Sequence, residues 1–431
     1  MGRRLVLRGA RWPGDVALRD GLIEAVGEVA PAPGDEVLAV DGEIITAGLV
    51  NTHHHLYQWL TRGRAVGCGL FDWLTELYPV WARIDVGDVA AAARVGLAQL
   101  ALSGCTTAAD HHYVVPGGDD SVFDAIAEAA GDVGVRLHLA RGSMDLGESA
   151  GGLPPDDVVE GIDAILASTE RVAQRWHDGE RISVVVAPCS PFSVSPELLR
   201  ESADLARRRG LRLHTHLAET VEEEADCLAR LGRRPLAVVD DLGWVADDVW
   251  FAHGIHFDDA EVARLGAAGA GVSHCPSSNA RLAAGFCRVP DLLAAGVPVG
   301  LGVDGAASNE QGTLVTELRQ AVYSARQGAG RPDALLPAQA LELATSGGAA
   351  CLGRSDIGRL EAGLRADLVV WPGADLADVE DPVAALVLGP ERRARHVLVD
   401  GVRIVSDGIL LGLDVDAARA DLARRARRLW S

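Results

Sequence analysis

The chain has 431 residues, a formal net charge of −21 and 48% hydrophobic content, enough for one large domain, or a large one with a small companion. So acidic a chain repels phosphate backbones, which excludes nucleic-acid binding, and its longest apolar runs fall short of the ~18–20 residues a membrane span needs. All 40 basic residues are arginine, the sequence holding no lysine, which excludes Schiff-base enzymes, P-loop enzymes and metal pairs bridged by a carboxylated lysine.

Residues 1–46 alternate in period two, as in RRLVLRGARW, DVALRDGLIEAVGE and DEVLAVDGE, with Gly and Asp at the turns. That pattern predicts antiparallel strands. The opening MGRRLVLRGARWPGD has neither a sustained apolar stretch nor a small-residue cleavage site, and reads as mature protein. Eight short apolar runs follow, each ending in polar or metal-capable residues. They are GLVNTHHH (48–55), GCTTAADHH (104–112), VRLHLARGS (135–143), ISVVVAPCS (182–190), LRLHTHLAE (211–219), VWFAHGIH (249–256), AGVSHCPSSN (270–279) and VPVGLGVDG (297–305). Most are β-branched or Leu-rich, as buried parallel strands are. Segments of helical spacing lie between them, including 86–102, 195–209 and 220–231; Ser195-Pro196 reads as an N-cap followed by an N1 proline. Eight such alternations predict an α/β architecture, a (β/α)8 TIM-type barrel, with functional groups at the C-terminal strand ends.

Residues 365–412 return to period two, and 414–430 read as a helix. The two ends therefore predict a small β-sandwich built from both termini. Residues 1–47 would form its first part, 48–355 the barrel, and 356–431 its second part with the C-terminal helix. Seven cysteines, an odd number without C-x-x-C spacing, suit a reduced cytoplasmic protein.

Strand side chains alternate faces, so His53 and His55 point one way and His54 the other. Two imidazoles on one face can share a metal ion; a packed histidine cluster is the plain alternative. Further strand ends contribute His216 with Glu219, then His253, then Asp304. Imidazoles and a carboxylate suit Zn²⁺ or Fe²⁺. No H-E-x-x-H occurs, and Cys275-Pro276 lacks the second cysteine of a cytidine-deaminase signature. His214 shares a face with His216 but lies one layer deeper. His138 reads as a satisfied core histidine, and His177 and His396 carry no pattern. The formal G-x-G-x-x-G at 300–305 is better explained as a tight strand exit presenting Asp304.

The motifs NTHHH (51–55), HLAET (216–220), AHGIH (252–256), HCPSSN (274–279) and GVDGAASN (302–309), with GLRADLVVW (363–371) outside the barrel, stand in an order that resembles the amidohydrolase superfamily, in its aminohydrolase/triazine-hydrolase branch. NTHHHLYQ, LYPVWARID (77–85), TTAADHHYVVPGG (106–118), RGSMDLGESAGGLPPDDVV (141–159) and APCSPFSVS (187–195) resemble its bacterial 8-oxoguanine deaminases, whereas NARLAAGFCRVP (279–290) looks less standard. The resemblance implies one divalent metal per chain, zinc before iron, held by His53, His55, His216 and Asp304. It also implies hydrolytic deamination of an aminopurine-like ring, 8-oxoguanine first. A water activated by the metal would give its proton to Asp304 beside His253, and Glu219 would protonate the ring nitrogen. Burial in the barrel mouth should raise the Glu219 pKa.

Gln58, Tyr78, Trp81, His112, Tyr113 and Cys189 are the candidate substrate contacts. LFDWLTELYPVWARI (70–84) is a candidate cap over the site, or a helix packed on the rim. The expected partner is a small heterocycle, with neither nucleic acid nor membrane, and the resemblance suggests a homo-oligomer, a dimer first. Guanine, pterin or s-triazine substrates use the same site in the alternative reading. A heterocycle sensor without turnover and a binuclear amide or ester hydrolase are the others.

Overall fold

The period-two segment at the N-terminus folds into β1 (Leu5–Arg8), β2 (Asp15–Arg19), β3 (Leu22–Gly27), β4 (Glu36–Ala39) and β5 (Ile44–Ala47). This is a computed structural model, and it describes residues 4–430; residues 1–3 and 431 of the segments set out above lie outside the described residues. The eight apolar runs become β6 (Leu49–Asn51), β7 (Cys105–His112), β8 (Arg136–Ser143), β9 (Ile182–Pro188), β10 (Arg212–Leu217), β11 (Val249–His253), β12 (Gly271–His274) and β13 (Val299–Leu301). They close into a parallel barrel of order β10-β11-β12-β13-β6-β7-β8-β9. The second period-two segment supplies β14 (Leu368–Trp371), β15 (His396–Val399), β16 (Val402–Ser406) and β17 (Ile409–Leu410).

Two sheets outside the barrel are built from both ends of the chain. One runs β3-β2-β1-β4 and the other β17-β16-β15-β14-β5. Their facing side chains, Leu7, Val16 and Ile23 from one and Ile45, Leu368 and Leu398 from the other, share one hydrophobic cluster. The pairing is not wholly antiparallel: β4 runs parallel to β1, because the chain leaving β3 crosses to the far edge of β1 before pairing. Arg136 at the start of β8 is fully buried and grips Asp367 through Nε and Nη2 at 2.8 and 3.2 Å. That bidentate pair, inside the ADLVV stretch, ties the second sheet to the barrel floor.

The predicted helices form where their caps say. Val86–Leu102 starts at a reciprocal Asp85/Asp88 capping box. Ser195 accepts from the Leu198 N–H ahead of Pro196 in the helix Pro196–Arg209, and Thr220 does the same for Glu223 in the helix Val221–Leu231. The tail is a helix, Val415–Trp430. Between β6 and the Val86–Leu102 helix, a 3-10 turn (Leu56–Thr61) and the helix Leu70–Trp81 are inserted over the C-terminal mouth of the barrel. All seven cysteines are free. Among the described residues, no helix is long and apolar enough to cross a membrane.

Candidate active site

The three histidines of NTHHH lie just past the end of β6 and are all buried. His53 and His55 meet edge to face at 4.6 Å between ring centroids. His54 turns away, and its Nε2 accepts from the Trp59 indole at 3.4 Å. The proton positions follow from the partners, because a carbonyl can only accept. His55 Nδ1 donates to the His111 carbonyl at 2.6 Å, and His216 Nδ1 to the Cys189 carbonyl at 2.7 Å. His214 Nδ1 donates to the Trp250 carbonyl at 2.8 Å, so its Nε2 accepts from His53 Nδ1 at 2.9 Å. His53, His55 and His216 are thereby left with bare Nε2 lone pairs. Burial holds all three rings below their usual pKa, so they are neutral. His214, stacked on Trp250, sits beneath His53 as a spacer.

Asp304 completes this group, with Oδ1 at 3.5 Å from His53 Nε2 and 3.3 Å from His55 Nε2. Its Oδ2 accepts from the Ser278 and Ser308 hydroxyls at 2.6 and 3.3 Å. Against burial, which opposes ionisation, the histidines around it hold the Asp304 carboxyl well below the usual range. Three neutral nitrogen lone pairs and one anionic oxygen thus converge from β6, β10 and the exit of β13. That donor set fits a divalent cation such as Zn²⁺ or Fe²⁺. His53, His55 and Asp304 form a group whose ligand atoms lie within 4.8 Å of one another, as do His53, His216 and His253.

His253 and Glu219 stand beside it. His253 Nδ1 donates to Asn279 Oδ1 at 3.0 Å, which aims Nε2 at Glu219 Oε2, 3.5 Å away, and at Asp304 Oδ2, 3.9 Å away. Burial opposes charge on His253, but Glu219 and then Asp304 raise its pKa above the ordinary value. Burial pushes the Glu219 carboxyl up to about 7, the direction expected of a group that must carry a proton. Glu223 accepts from the backbone N–H groups of Ala218 and Glu219 at 3.0 and 2.8 Å, fixing the turn that presents Glu219. Ala218, His253 and Asp304 all adopt left-handed backbone, with φ of +52°, +71° and +60°. Non-glycine residues take that conformation at a cost; here it turns three strand exits toward one point. Two glycines beside Asp304 are there for space. A Cβ on Gly302 would lie 2.8 Å from His53 Cβ, and one on Gly305 would lie 1.7 Å from Gln58 Oε1.

The helix Leu70–Trp81 closes a cavity over these groups, with about 370 Å³ of atom-free space counting the part open to solvent. Gln58, Tyr78, Tyr113 and Cys189 line it, together with His55, His216, Glu219, His253 and Asp304. Trp81 and His112 do not. Trp81 packs on Tyr57 and Trp73 and donates to Thr61 Oγ1 at 3.0 Å, behind the cavity. His112 faces the helix layer, its ring 5.2 Å from Tyr57 and 5.7 Å from Phe123. Its neighbour His111 is the one that turns inward, stacked at 4.8 Å on His216. Sequence reasoning passed over His111 and the apolar walls Phe192 and Leu282, whereas Leu70, Trp73 and Leu74 come from the candidate cap at 70–84. His138 is buried as expected, yet neither ring nitrogen has a partner among the described residues, so it is not the satisfied histidine foreseen.

A model of the amidohydrolase family matches residues 44–404. An 8-oxoguanine deaminase from Pseudomonas aeruginosa is 48% identical over 94% of this chain and 92% of its own length. A hydroxydechloroatrazine ethylaminohydrolase from Pseudomonas sp. strain ADP is 39% identical over 94% and 89%. Among solved structures, an atrazine chlorohydrolase from Arthrobacter aurescens TC1 complexed with zinc superposes with a TM-score of 0.91 at 31% identity, covering 98% of this chain and all of that one (100%).

Proposed function

The chain belongs to the amidohydrolase family, and from that premise we propose that it hydrolytically removes the exocyclic amino group of a purine-like heterocycle, with 8-oxoguanine as the first substrate to test. His53, His55, His216 and Asp304 would hold one divalent metal, zinc before iron. The observation that carries this reading is the approach of the bare His53 and His55 Nε2 atoms to Asp304 Oδ1, at 3.5 and 3.3 Å, with the bare His216 Nε2 3.1 Å from His55 Nε2. A metal ion bound there supplies Lewis acidity and lowers the pKa of water from 15.7 to about 7.

The chain's own groups supply the proton traffic. Asp304, kept ionised, accepts a proton on Oδ2 while Ser278 and Ser308 hold the carboxylate still. Glu219, near neutrality in its proton affinity, delivers a proton to the ring nitrogen next to the amino-bearing carbon, making that carbon more electrophilic. His253 Nε2, pinned between Glu219 and Asp304, hydrogen-bonds the oxygen being added and steadies the charge that develops. Gln58 and Tyr113, which line the cavity, would hydrogen-bond ring heteroatoms, and Leu70, Trp73 and Tyr78 would exclude bulk water from above. Asp304 then gives its proton to the amino group, which leaves as ammonia, and the added hydroxyl returns its proton to Glu219 as the ring carbonyl forms.

The same reading keeps the barrel at residues 48–355 and takes the protein as a cytoplasmic homo-oligomer, a dimer first, which light scattering checks. Ammonia release from 8-oxoguanine, guanine, a pterin and an amino-s-triazine tests the substrate. The reading expects 8-oxoguanine to have the highest kcat/KM. Turnover confined to triazines overturns the purine assignment, and no turnover on any ring by metal-replete protein favours a binding role.

A further inference from the structure

The helix Leu314–Ala329 follows the exit of β13, and its first turn carries Glu317, which is fully buried. Oε2 accepts from the Ser277 N–H at 3.0 Å, and Oε1 accepts from the Ser277 hydroxyl at 2.6 Å and Asn309 Nδ2 at 2.9 Å. All of these partners are neutral. A buried carboxyl held by neutral groups is a poor way to stabilise a fold, because an apolar side chain of similar size avoids the desolvation. Leu314, Leu318 and Ala321 of the same helix sit in the core in that way.

The two segments that Glu317 joins carry the active site. Ser277 precedes Ser278 and Asn279, just beyond β12. Ser278 Oγ donates to Asp304 Oδ2 at 2.6 Å, and Asn279 Oδ1 accepts from His253 Nδ1 at 3.0 Å. Asn309 closes the loop that starts at Asp304, and its Nδ2 also donates to the Val303 carbonyl at 2.9 Å. Ser308 beside it donates to Asp304 Oδ2 at 3.3 Å and stands 2.9 Å from Ser278 Oγ. The Val303 N–H in turn donates to Asn51 Oδ1 at 2.9 Å, in the segment that leads to His53. One carboxyl thus ties the segment that aims His253 to the segment that presents Asp304.

We infer that Glu317 is a positioning residue for the deamination proposed above: by clamping Ser277 to Asn309 it sets Asp304 Oδ2 and His253 Nε2 relative to each other. The inference rests on that reading of the site. Glu317 does not line the catalytic cavity. Its effect passes through Ser278 to the carboxylate and through Asn279 to the imidazole. Without the clamp the two segments move independently, and both oxygens of Asp304 lose their fixed directions. Gln58 and Tyr113 follow β6 and β7 and are not held by it. The loss should therefore fall on metal affinity and kcat, with KM nearly unchanged.

Chelator competition for zinc, with steady-state kinetics on the ring turned over fastest, tests this on full-length protein well below the melting temperature of each variant. Glu317→Ala should bind zinc about tenfold more weakly and lower kcat about 10–100-fold. Glu317→Gln keeps one acceptor oxygen and should recover to within about threefold of the parent in both, the worth of one hydrogen bond. Asn279→Ala should lower kcat about tenfold in the parent but less than about threefold on the Glu317→Ala background, where His253 has already lost its aim. Should Glu317→Ala fail to fold, the same comparison on Glu317→Gln decides, with the Asn279→Ala effect again smaller than in the parent. A lowered melting temperature with zinc affinity, kcat and the Asn279→Ala effect all unchanged is the mark of a structural residue and overturns the proposal. A parent that turns over no ring sinks the deaminase reading alone, and the zinc affinities still decide the role of Glu317.

Discussion

His55 Nε2 lies 3.1 Å from His216 Nε2, and neither atom carries a proton. Each ring has already committed its proton through Nδ1 to a backbone carbonyl, that of His111 or of Cys189. Two lone pairs at hydrogen-bonding distance repel unless a cation lies between them. With His53 Nε2 and Asp304 Oδ1 alongside, that contact is the structural signature of the proposed metal site.

His54 is buried with these rings but takes no part in the convergence. His54→Ala should keep its metal, measured by elemental analysis, while His55→Ala and His216→Ala lose most of it. The loss of a buried ring should still lower the stability of His54→Ala, on the order of 2–4 kcal/mol. Metal loss in His54→Ala equal to that in His55→Ala would remove the distinction.

Glu219 and Glu223 should separate chemistry from positioning. Glu219→Gln removes the transferable proton and should lower kcat about 10²–10⁴-fold with the metal retained. Glu223→Gln keeps one acceptor oxygen for the two N–H groups of Ala218 and Glu219, and should lower kcat by about tenfold, with the alkaline limb of its pH profile moved to lower pH because a neighbouring charge that raises the Glu219 pKa is gone. Steady-state kinetics with metal analysis check both. Unchanged kcat in Glu219→Gln would refute its role as acid.

Gly305→Ala should act on substrate binding rather than metal. Its added Cβ would meet Gln58 Oε1 at 1.7 Å, so the Gln58 side chain must leave its position against the cavity. KM should rise about tenfold, the worth of one hydrogen bond, with metal content unchanged. An unchanged KM would show that Gln58 does not contact the substrate.

Glu317 gives a pH-dependent stability term away from the metal. It accepts from Ser277 N–H, Ser277 Oγ and Asn309 Nδ2, and burial pushes its carboxyl up to about 7. Between the unfolded carboxyl value and 7 the folded chain holds the extra proton, so stability from this group is present at low pH and lost as pH rises through about 7. Relative to Glu317→Gln, the parent should lose on the order of 3 kcal/mol between pH 4.5 and 8. Melting temperatures of both proteins across that range check the sign. A difference that does not vary with pH contradicts it.

The barrel was legible because each strand is a short apolar run ending in a polar group. Parallel strands buried on both faces leave little else to read. The same rule exposed His53, His55, His216, His253 and Asp304, all at strand exits. What alternation could not settle is which face of β7 points inward. His112 stands next to Tyr113 in the sequence, but its odd-numbered neighbour His111 faces the rings of His55 and His216, and barrel closure alone fixes that choice. Trp81 failed for another reason. It shares a helix face with Leu70 and Tyr78, but lies almost a turn beyond Tyr78 along the axis, past the cavity and over Tyr57.

The serines and asparagines of HCPSSN and GVDGAASN were visible as a motif without a role. Their partners are distant in sequence: Ser278 and Ser308 on Asp304, Asn279 on His253, Asn309 and Ser277 on Glu317. No local spacing rule links residues 253, 279 and 304, because the fold alone brings three strand exits together.

The most direct test of the metal-centred account is a zinc titration of chelator-dialysed protein, following ammonia release from 8-oxoguanine on the same samples. The account predicts activity rising from near zero in proportion to added zinc and breaking at one equivalent per chain, with Glu219→Gln taking up the same equivalent silently. A break at two equivalents, or full turnover before any metal is added, would contradict it.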